Sequence, residues 1–218
     1  MSKYIEENKE LGLTCIWHNA TIKDSIITHR NTNVEIVDRP NWGLTCYMDN
    51  CIQSCLSDEK IYHEALVHPV MSYSVKNVLI IGGGEGATAR EVLKWPVENV
   101  DMYEWDRDVV ELFKKYPQWS KGAWDDPRLH IFYEDVFELE YVKKYDAVII
   151  DLFEPDYKMS QLLKKVTCSN IIMYAGMNYT HNQIINQGNM WRGISLDTTY
   201  KVYIPSFLGE AVFLHIKN

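Results

Sequence analysis

The spacing of apolar positions along this chain changes once, near residue 58. Before that point, short apolar runs alternate with turn residues: LTCIWH in the 12–18 region, DSIITH (24–29), NVEIV (33–37), LTCYM (44–48) and CIQSCL (51–56). Each reads as a strand, and Asp49-Asn50 between the last two predicts a hairpin turn. These residues therefore predict a small antiparallel sheet. From Asp58 onward helices and strands alternate. A helix over EKIYHEALVHPV (59–70) is capped by Ser57 or Asp58 and closed by Pro69. Then follow VLII (78–81), a helix from about 85 to 94, VDMYE (100–104), a helix over 106–116, LHIFY (129–133) and a short helical piece. AVII (147–150), NIIMYA (170–175), a helix near 180–192 and two final strands, YKVYIP and AVFLHI, complete the pattern, the last pair as a hairpin at the sheet edge.

Continuous runs such as VLII and AVII suit strands buried on both faces, and their alternation with helices predicts a parallel, doubly wound sheet. The expected class is α/β, with a small β domain over residues 1–57 and the doubly wound domain over 58–218. At 218 residues, 46% apolar and 24% charged, the chain has the composition of a globular protein with one sizeable core. No run approaches eighteen apolar residues, and MSKYIEENKELG lacks a basic-then-apolar leader, so the expectation is a cytoplasmic protein with no membrane partner. Lys and Arg number 22 against 30 Asp and Glu, a formal charge of −8, which disfavours nucleic acid and favours cationic partners. The five cysteines contain no C-x-x-C and are expected as free thiols. Cys51, Cys55 and His63 form a possible zinc grouping, but their segment reads as strand and a fourth ligand is not obvious, so no metal is expected.

Four glycines fall in five residues, Gly82-Gly83-Gly84-Glu85-Gly86, directly after VLII and before ATAREVLKW. Strand, glycine turn and helix in that order let a nucleotide approach the backbone. Gly82, Gly84 and Ala87 fit the dinucleotide pattern G-x-G-x-x-A, and Glu104 stands about twenty residues on, where an acid binds ribose hydroxyls. Glu85 argues against a dinucleotide, since its carboxylate would repel a pyrophosphate by up to a few kcal/mol. A sulfonium nucleoside has no phosphate and carries positive charge, so S-adenosylmethionine or a relative is favoured over NAD. Glu85 also reads as an acid complementing the helix dipole, and Glu104 as a solvated acid at a strand end. Asp135, in YEDVF, lies where the third strand ends beside an adenine, or else caps the following helix.

A second cluster lies in YDAVIIDLFEP. Asp151 directly follows a buried strand, at the end where such sheets bind ligands, and Glu154 precedes Pro155. Two carboxylates there suit a cationic substrate and proton transfer, although Asp151 also reads as a helix cap. Tyr62, His63 and His68 sit on the helix that bridges the two parts of the chain and can roof the site. A histidine in such a helix also reads as a packed, hydrogen-bonded residue.

From Gln53 to Pro155, through QSCLSDEKIYHEALVHP, NVLIIGGGEGATAREVLKWPVENV, YEWD, DDPRL and YDAVIIDLFEP, the chain resembles the polyamine aminopropyltransferases, whose best-known members are the spermidine synthases. The resemblance implies an N-terminal β domain before a Rossmann-like, methyltransferase-type fold. It also implies transfer of an aminopropyl group from decarboxylated S-adenosylmethionine, a co-substrate and not a tightly bound cofactor, to putrescine or a related amine, releasing methylthioadenosine. It makes Asp151 the catalytic acid/base, Tyr62, Asp151 and Glu154 substrate-binding, and Gln53, His63, Gly82, Gly84, Glu85, Glu104 and Asp135 cofactor-binding. It further implies a homodimer or homotetramer.

The chain departs from the family pattern at several places. Glu85 and Glu154 stand where Asp is usual, and Leu152-Phe153 replaces a pair of small residues. Ser206 or Phe207 lies near an expected tyrosine, TNVEIV lacks a usual glutamine, and the gatekeeping region after Pro155 is short. Glu85 faces the cofactor; the other departures lie around the amine pocket. A methyltransferase using the parent cofactor and a non-catalytic cofactor-binding member are the alternative readings.

Overall fold

The N-terminal strands form because alternate side chains find a buried face. In the computed structural model, which describes residues 2–8, 12–139, 144–152, 157–178 and 196–216, β1 (Lys3–Asn8) pairs antiparallel with β2 (Leu13–His18). The strands β3 (Thr21–Ile27), β4 (Asn33–Arg39), β5 (Gly43–Met48) and β6 (Cys51–Cys55) form a separate antiparallel meander. The N-terminal region thus holds two sheets where one was expected. Asp49 and Asn50 both have positive φ, 48° and 64°, as a two-residue turn matching the strand twist requires. Strand β1 was not expected, because its inward positions are Tyr4 and Glu6. Glu6 is buried as an acceptor for Trp17 Nε1 at 2.7 Å and the Tyr47 hydroxyl at 3.2 Å, so a polar residue occupies a core position.

After α1 (Glu59–Val67) the chain builds the main sheet from β7 (Asn77–Gly82), β8 (Asn99–Tyr103), β9 (Leu129–Phe132), β10 (Ala147–Asp151), β11 (Ile171–Met177), β12 (Leu196–Ile204) and β13 (Gly209–Ile216). Their spatial order is β12-β13-β11-β10-β7-β8-β9. The five strands from β11 to β9 are parallel, and the final hairpin adds two antiparallel strands at one edge. The strands step outward from β7 to β9, then resume at β10 on the other side of β7. That reversal opens a crevice at the carboxyl ends of β7 and β10. Asp151 pairs with Gly82 in this register, so the two sequence clusters meet there.

The central strands are apolar throughout because both faces are covered. Val78, Ile80 and Ile149 pack with Leu66 and Val67 of α1 and with Ala89 and Val92 of α2 (Ala87–Leu93). Leu79, Ile81, Val148 and Ile150 face Met159, Leu162 and Leu163. A third cluster joins Val34, Ile36 and Cys46 of the meander to Val109, Leu112 and Phe113 of α3 (Arg107–Lys114) and to Trp119 of α4 (Pro117–Ser120). The indole of Trp119 also donates to Ser54 Oγ at 2.8 Å. The meander is thereby fixed over the mouth of the crevice.

Three expectations about helices change. The helix α5 (Tyr157–Lys165) follows shortly after Pro155, where none was predicted. The α2 helix begins at Ala87, because Gly86 takes φ +82° and ends the turn, which leaves Glu85 in the loop and removes its reading as a first-turn acid. Asp58 sits at the start of α1 but its carboxylate does not cap it. It accepts instead from the backbone N–H of Ser206 at 2.6 Å and from Ser206 Oγ at 2.8 Å. The predicted helix near 180–192 lies outside the described residues. Among the described residues, no helix is long and apolar enough to cross a membrane.

The Asp58 bridge ties the final hairpin to α1 and is buried at both ends. Asp58→Ala leaves a buried N–H without an acceptor, so urea unfolding is expected to give a stability about 1–3 kcal/mol lower. An unchanged midpoint would show that this bridge does not hold the hairpin.

Candidate active site

The crevice widens into a cavity of about 540 Å³ between the meander and the carboxyl ends of β7, β8 and β10. Six acidic residues line it, Glu7, Asp49, Glu85, Glu104, Asp106 and Asp151, and among the described residues no lysine, arginine or histidine does. Apolar and aromatic side chains, including Met48, Trp105 and Phe207, supply the rest of the wall. The cavity suits a cationic ligand with an apolar body.

Asp151 is held by two hydroxyls. Tyr62 OH donates to its Oδ1 at 2.8 Å, and Thr88 Oγ1 to its Oδ2 at 2.5 Å. Burial and then the neighbouring Glu85 carboxylate push its pKa above the ordinary carboxylate value, while His63 and the two hydroxyls act in the other direction. The net rise moves Asp151 toward the range useful for taking a proton at neutral pH. Tyr62 itself, buried beside Asp151, is pushed well above the usual phenol value, so it stays protonated as a donor. Its ring packs edge-on to Tyr174, with centroids 5.5 Å apart, and lies 6.1 Å from Phe207.

The glycines allow this close approach. Gly82 has φ +84°, and a Cβ there would collide with the Asp151 carbonyl oxygen. A Cβ on Gly84 would meet Glu104 Oε2 at 2.9 Å. Glu104 is buried, accepts from the Asp106 N–H at 3.0 Å, and is pushed up to about 7, chiefly by burial and then by Glu85, Asp106 and Asp151. Gln53 lines the meander side and donates to the Cys51 carbonyl at 3.3 Å.

Of the residues singled out in the sequence, Gln53, Tyr62, Gly82, Gly84, Glu85, Glu104 and Asp151 meet at this cavity. His63 stands behind the wall, buried, with Nε2 2.7 Å from Glu85 Oε1. Asp135 is not among the lining residues. Its carboxylate accepts from the Phe137 N–H at 2.9 Å, the capping role also read from the sequence. Glu154 lies outside the described residues. Thr88 was missed, although its place in the first turn after a glycine loop is a usable signal. Glu59 and Arg90 were also missed. Glu59 lies four residues before His63, one helical turn away.

The zinc grouping of Cys51, Cys55 and His63 is not assembled, because both ring nitrogens of His63 face carboxylates and Cys55 Sγ takes contacts from Arg39 and Thr45. All five cysteines are free thiols. Donor atoms of His63, Glu85 and Asp151 lie within 4.8 Å of one another, but they are engaged with each other, with Glu59 and with the Tyr62 and Thr88 hydroxyls. They form a hydrogen-bond network and give no open coordination cage.

The family model for the spermine/spermidine synthase domain matches residues 59–216. The polyamine aminopropyltransferase of Korarchaeum cryptofilum is 36% identical over 222 aligned positions, covering 90% of this chain and 68% of that protein. The polyamine aminopropyltransferase of Pyrobaculum aerophilum is 49% identical over 129 residues, 55% of this chain, and the match spans 44% of that protein's length. Among solved structures, spermidine synthase from Thermotoga maritima superposes with a TM-score of 0.83 at 25% identity, covering 99% of this chain and 79% of that one. A spermidine synthase in complex with the transition-state analogue AdoDATO superposes with a TM-score of 0.84 at 26% identity, over 99% of this chain and 80% of that one.

Proposed function

The chain belongs to the spermine/spermidine synthase family, and from that premise we propose that it transfers the aminopropyl group of decarboxylated S-adenosylmethionine to putrescine or a related di- or polyamine. One observation carries this reading: a cavity walled by six acidic residues, with no cationic side chain lining it among the described residues, at the strand ends where this fold binds nucleosides. Both substrates are cations, and neither carries a phosphate. Glu104 binds the ribose hydroxyls, the apolar wall takes the adenine and thioether, and Glu85 faces the ammonium end of the aminopropyl chain. Gln53 completes the nucleoside site from the meander side, and Glu154 holds the acceptor amine.

The chemistry needs one proton removed. An aliphatic amine has a reference pKa of about 10.4 and arrives protonated, without a lone pair. Asp151, oriented by Tyr62 and Thr88, takes that proton. The freed nitrogen attacks the methylene carbon beside the sulfonium, a C–N bond forms, and the C–S bond breaks with its electron pair passing to sulfur. The products are an aminopropylated amine and neutral methylthioadenosine.

Glu85 also separates this reading from a methyltransferase. The parent cofactor carries an additional carboxylate at the end that Glu85 faces, and two like charges about 4 Å apart repel by roughly 1–4 kcal/mol at effective dielectric constants between water and a protein surface. Calorimetry is expected to give at least about tenfold tighter binding of the decarboxylated form, with Glu85→Gln narrowing that gap. Tighter binding of the carboxylated form would favour a methyltransferase.

A further inference from the structure

His63 connects the cavity to charges that never reach it. Its Nδ1 lies 2.7 Å from the Glu59 carbonyl oxygen and 2.9 Å from Glu59 Oε2, and its Nε2 lies 2.7 Å from Glu85 Oε1. A neutral imidazole has one N–H and one lone pair. Both contacts are hydrogen bonds to carboxylates only when both ring nitrogens carry protons.

Glu59 is fixed in turn. Arg90 grips it as a fork, Nη1 to Oε1 at 2.9 Å and Nη2 to Oε2 at 2.8 Å, and Arg90 Nη1 also donates to the Trp119 carbonyl at 2.5 Å. Glu59, His63 and Arg90 are all buried. The charged groups facing His63 are Glu59 from its own helix, Glu85 from the glycine loop and Asp151 from the end of β10, with Arg90 behind Glu59 and the Tyr62 hydroxyl beside Asp151.

We propose that Glu59 and Arg90 are positioning residues, which hold His63 as an imidazolium so that Glu85 is presented to the cavity as a carboxylate. The role given to Glu85, gripping the cationic end of the donor, rests on the function proposed above; the charge state of His63 does not. Without a cation behind it, Glu85 would share the cavity with the carboxylates of Asp151 and Glu104 and have no opposite charge beside it. Burial lowers the affinity of His63 for its second proton, but the bonds from Glu59 and Glu85 outweigh it and raise the ring to about 10. Its ordinary value is about 6.5, so the stability contributed by the charged ring is complete below about pH 6.5 and is lost as pH rises toward 10.

Ring 15N NMR of His63 in the unliganded full chain tests this directly. Both nitrogens are expected to stay protonated through about pH 9, and in Glu59→Gln the ring is expected to lose a proton at least about 1 unit lower. In activity assays Glu59→Gln is expected to raise KM for the donor about tenfold at alkaline pH, with kcat within about threefold, and lowering the pH should restore KM by reprotonating the ring. A pH-independent loss of activity would assign Glu59 a merely structural role. A wild-type ring with one bare nitrogen at neutral pH, its proton residing on Glu85, would overturn the proposal, and that measurement needs no variant. Because NMR uses no substrate, a doubly protonated ring with no aminopropyl transfer would refute the proposed function and leave the charge network standing.

Discussion

Asp151→Asn is expected to lower turnover about 10²–10⁴-fold while thermal stability and affinity for the sulfonium nucleoside change little. The amide fills the same volume and its oxygen still accepts from one of the two hydroxyls, Tyr62 or Thr88. The other hydroxyl rotates to accept from the amide nitrogen. What the variant lacks is a lone pair basic enough to take the amine proton. Steady-state rates with calorimetry on the same preparation separate the two effects. Wild-type turnover in the variant would remove Asp151 from the chemistry.

Gly82→Ala is expected to damage both stability and turnover. Its φ of +84° disfavours any side chain, a strain of about 1–3 kcal/mol before contacts are considered. The added methyl also runs into the Asp151 carbonyl and meets Leu152 Cδ2 at 3.0 Å. The Leu152 side chain can shift, but the carbonyl does not yield easily, since Gly82 and Asp151 are register partners at the ends of two adjacent central strands. A shift of Asp151 by even about 1 Å is enough for a roughly 10²-fold loss in rate. Gly83→Ala provides the comparison. It has nearly the same φ, +81°, but a Cβ there meets neighbours no nearer than 3.4 Å. Urea unfolding of both variants is expected to place Gly82→Ala clearly below Gly83→Ala, and equal losses would mean that the collision contributes nothing.

Much of the site was legible because its residues lie at positions the fold dictates. A run such as VLII or AVII announces a strand buried on both faces, and the residues directly after it fall at the carboxyl edge. Gly82, Gly84 and Asp151 were located that way, and Glu104 by its distance from the glycine loop. Residues whose roles depend on contacts between elements were not legible. Thr88 matters because α2 brings it to Asp151, and Arg90 because α2 brings it to Glu59, which meets His63 one turn along α1. Asp58 looked like a cap and instead anchors Ser206, 148 residues away in sequence. Strand β1 was hidden by the buried carboxylate of Glu6. Helix α5 was hidden by the weight given to Pro155, although Met159, Leu162 and Leu163 have helical spacing and are buried.

The acceptor amine is the part of the proposed reaction that the family membership leaves open, so product formation is the decisive observation. The full chain, incubated with decarboxylated S-adenosylmethionine and a panel of di- and triamines, should be assayed by mass spectrometry for both products. The proposed function predicts methylthioadenosine and an aminopropylated amine in equal amounts with at least one acceptor, both abolished by Asp151→Asn. A folded chain that binds the donor and yields neither product with any amine would contradict it.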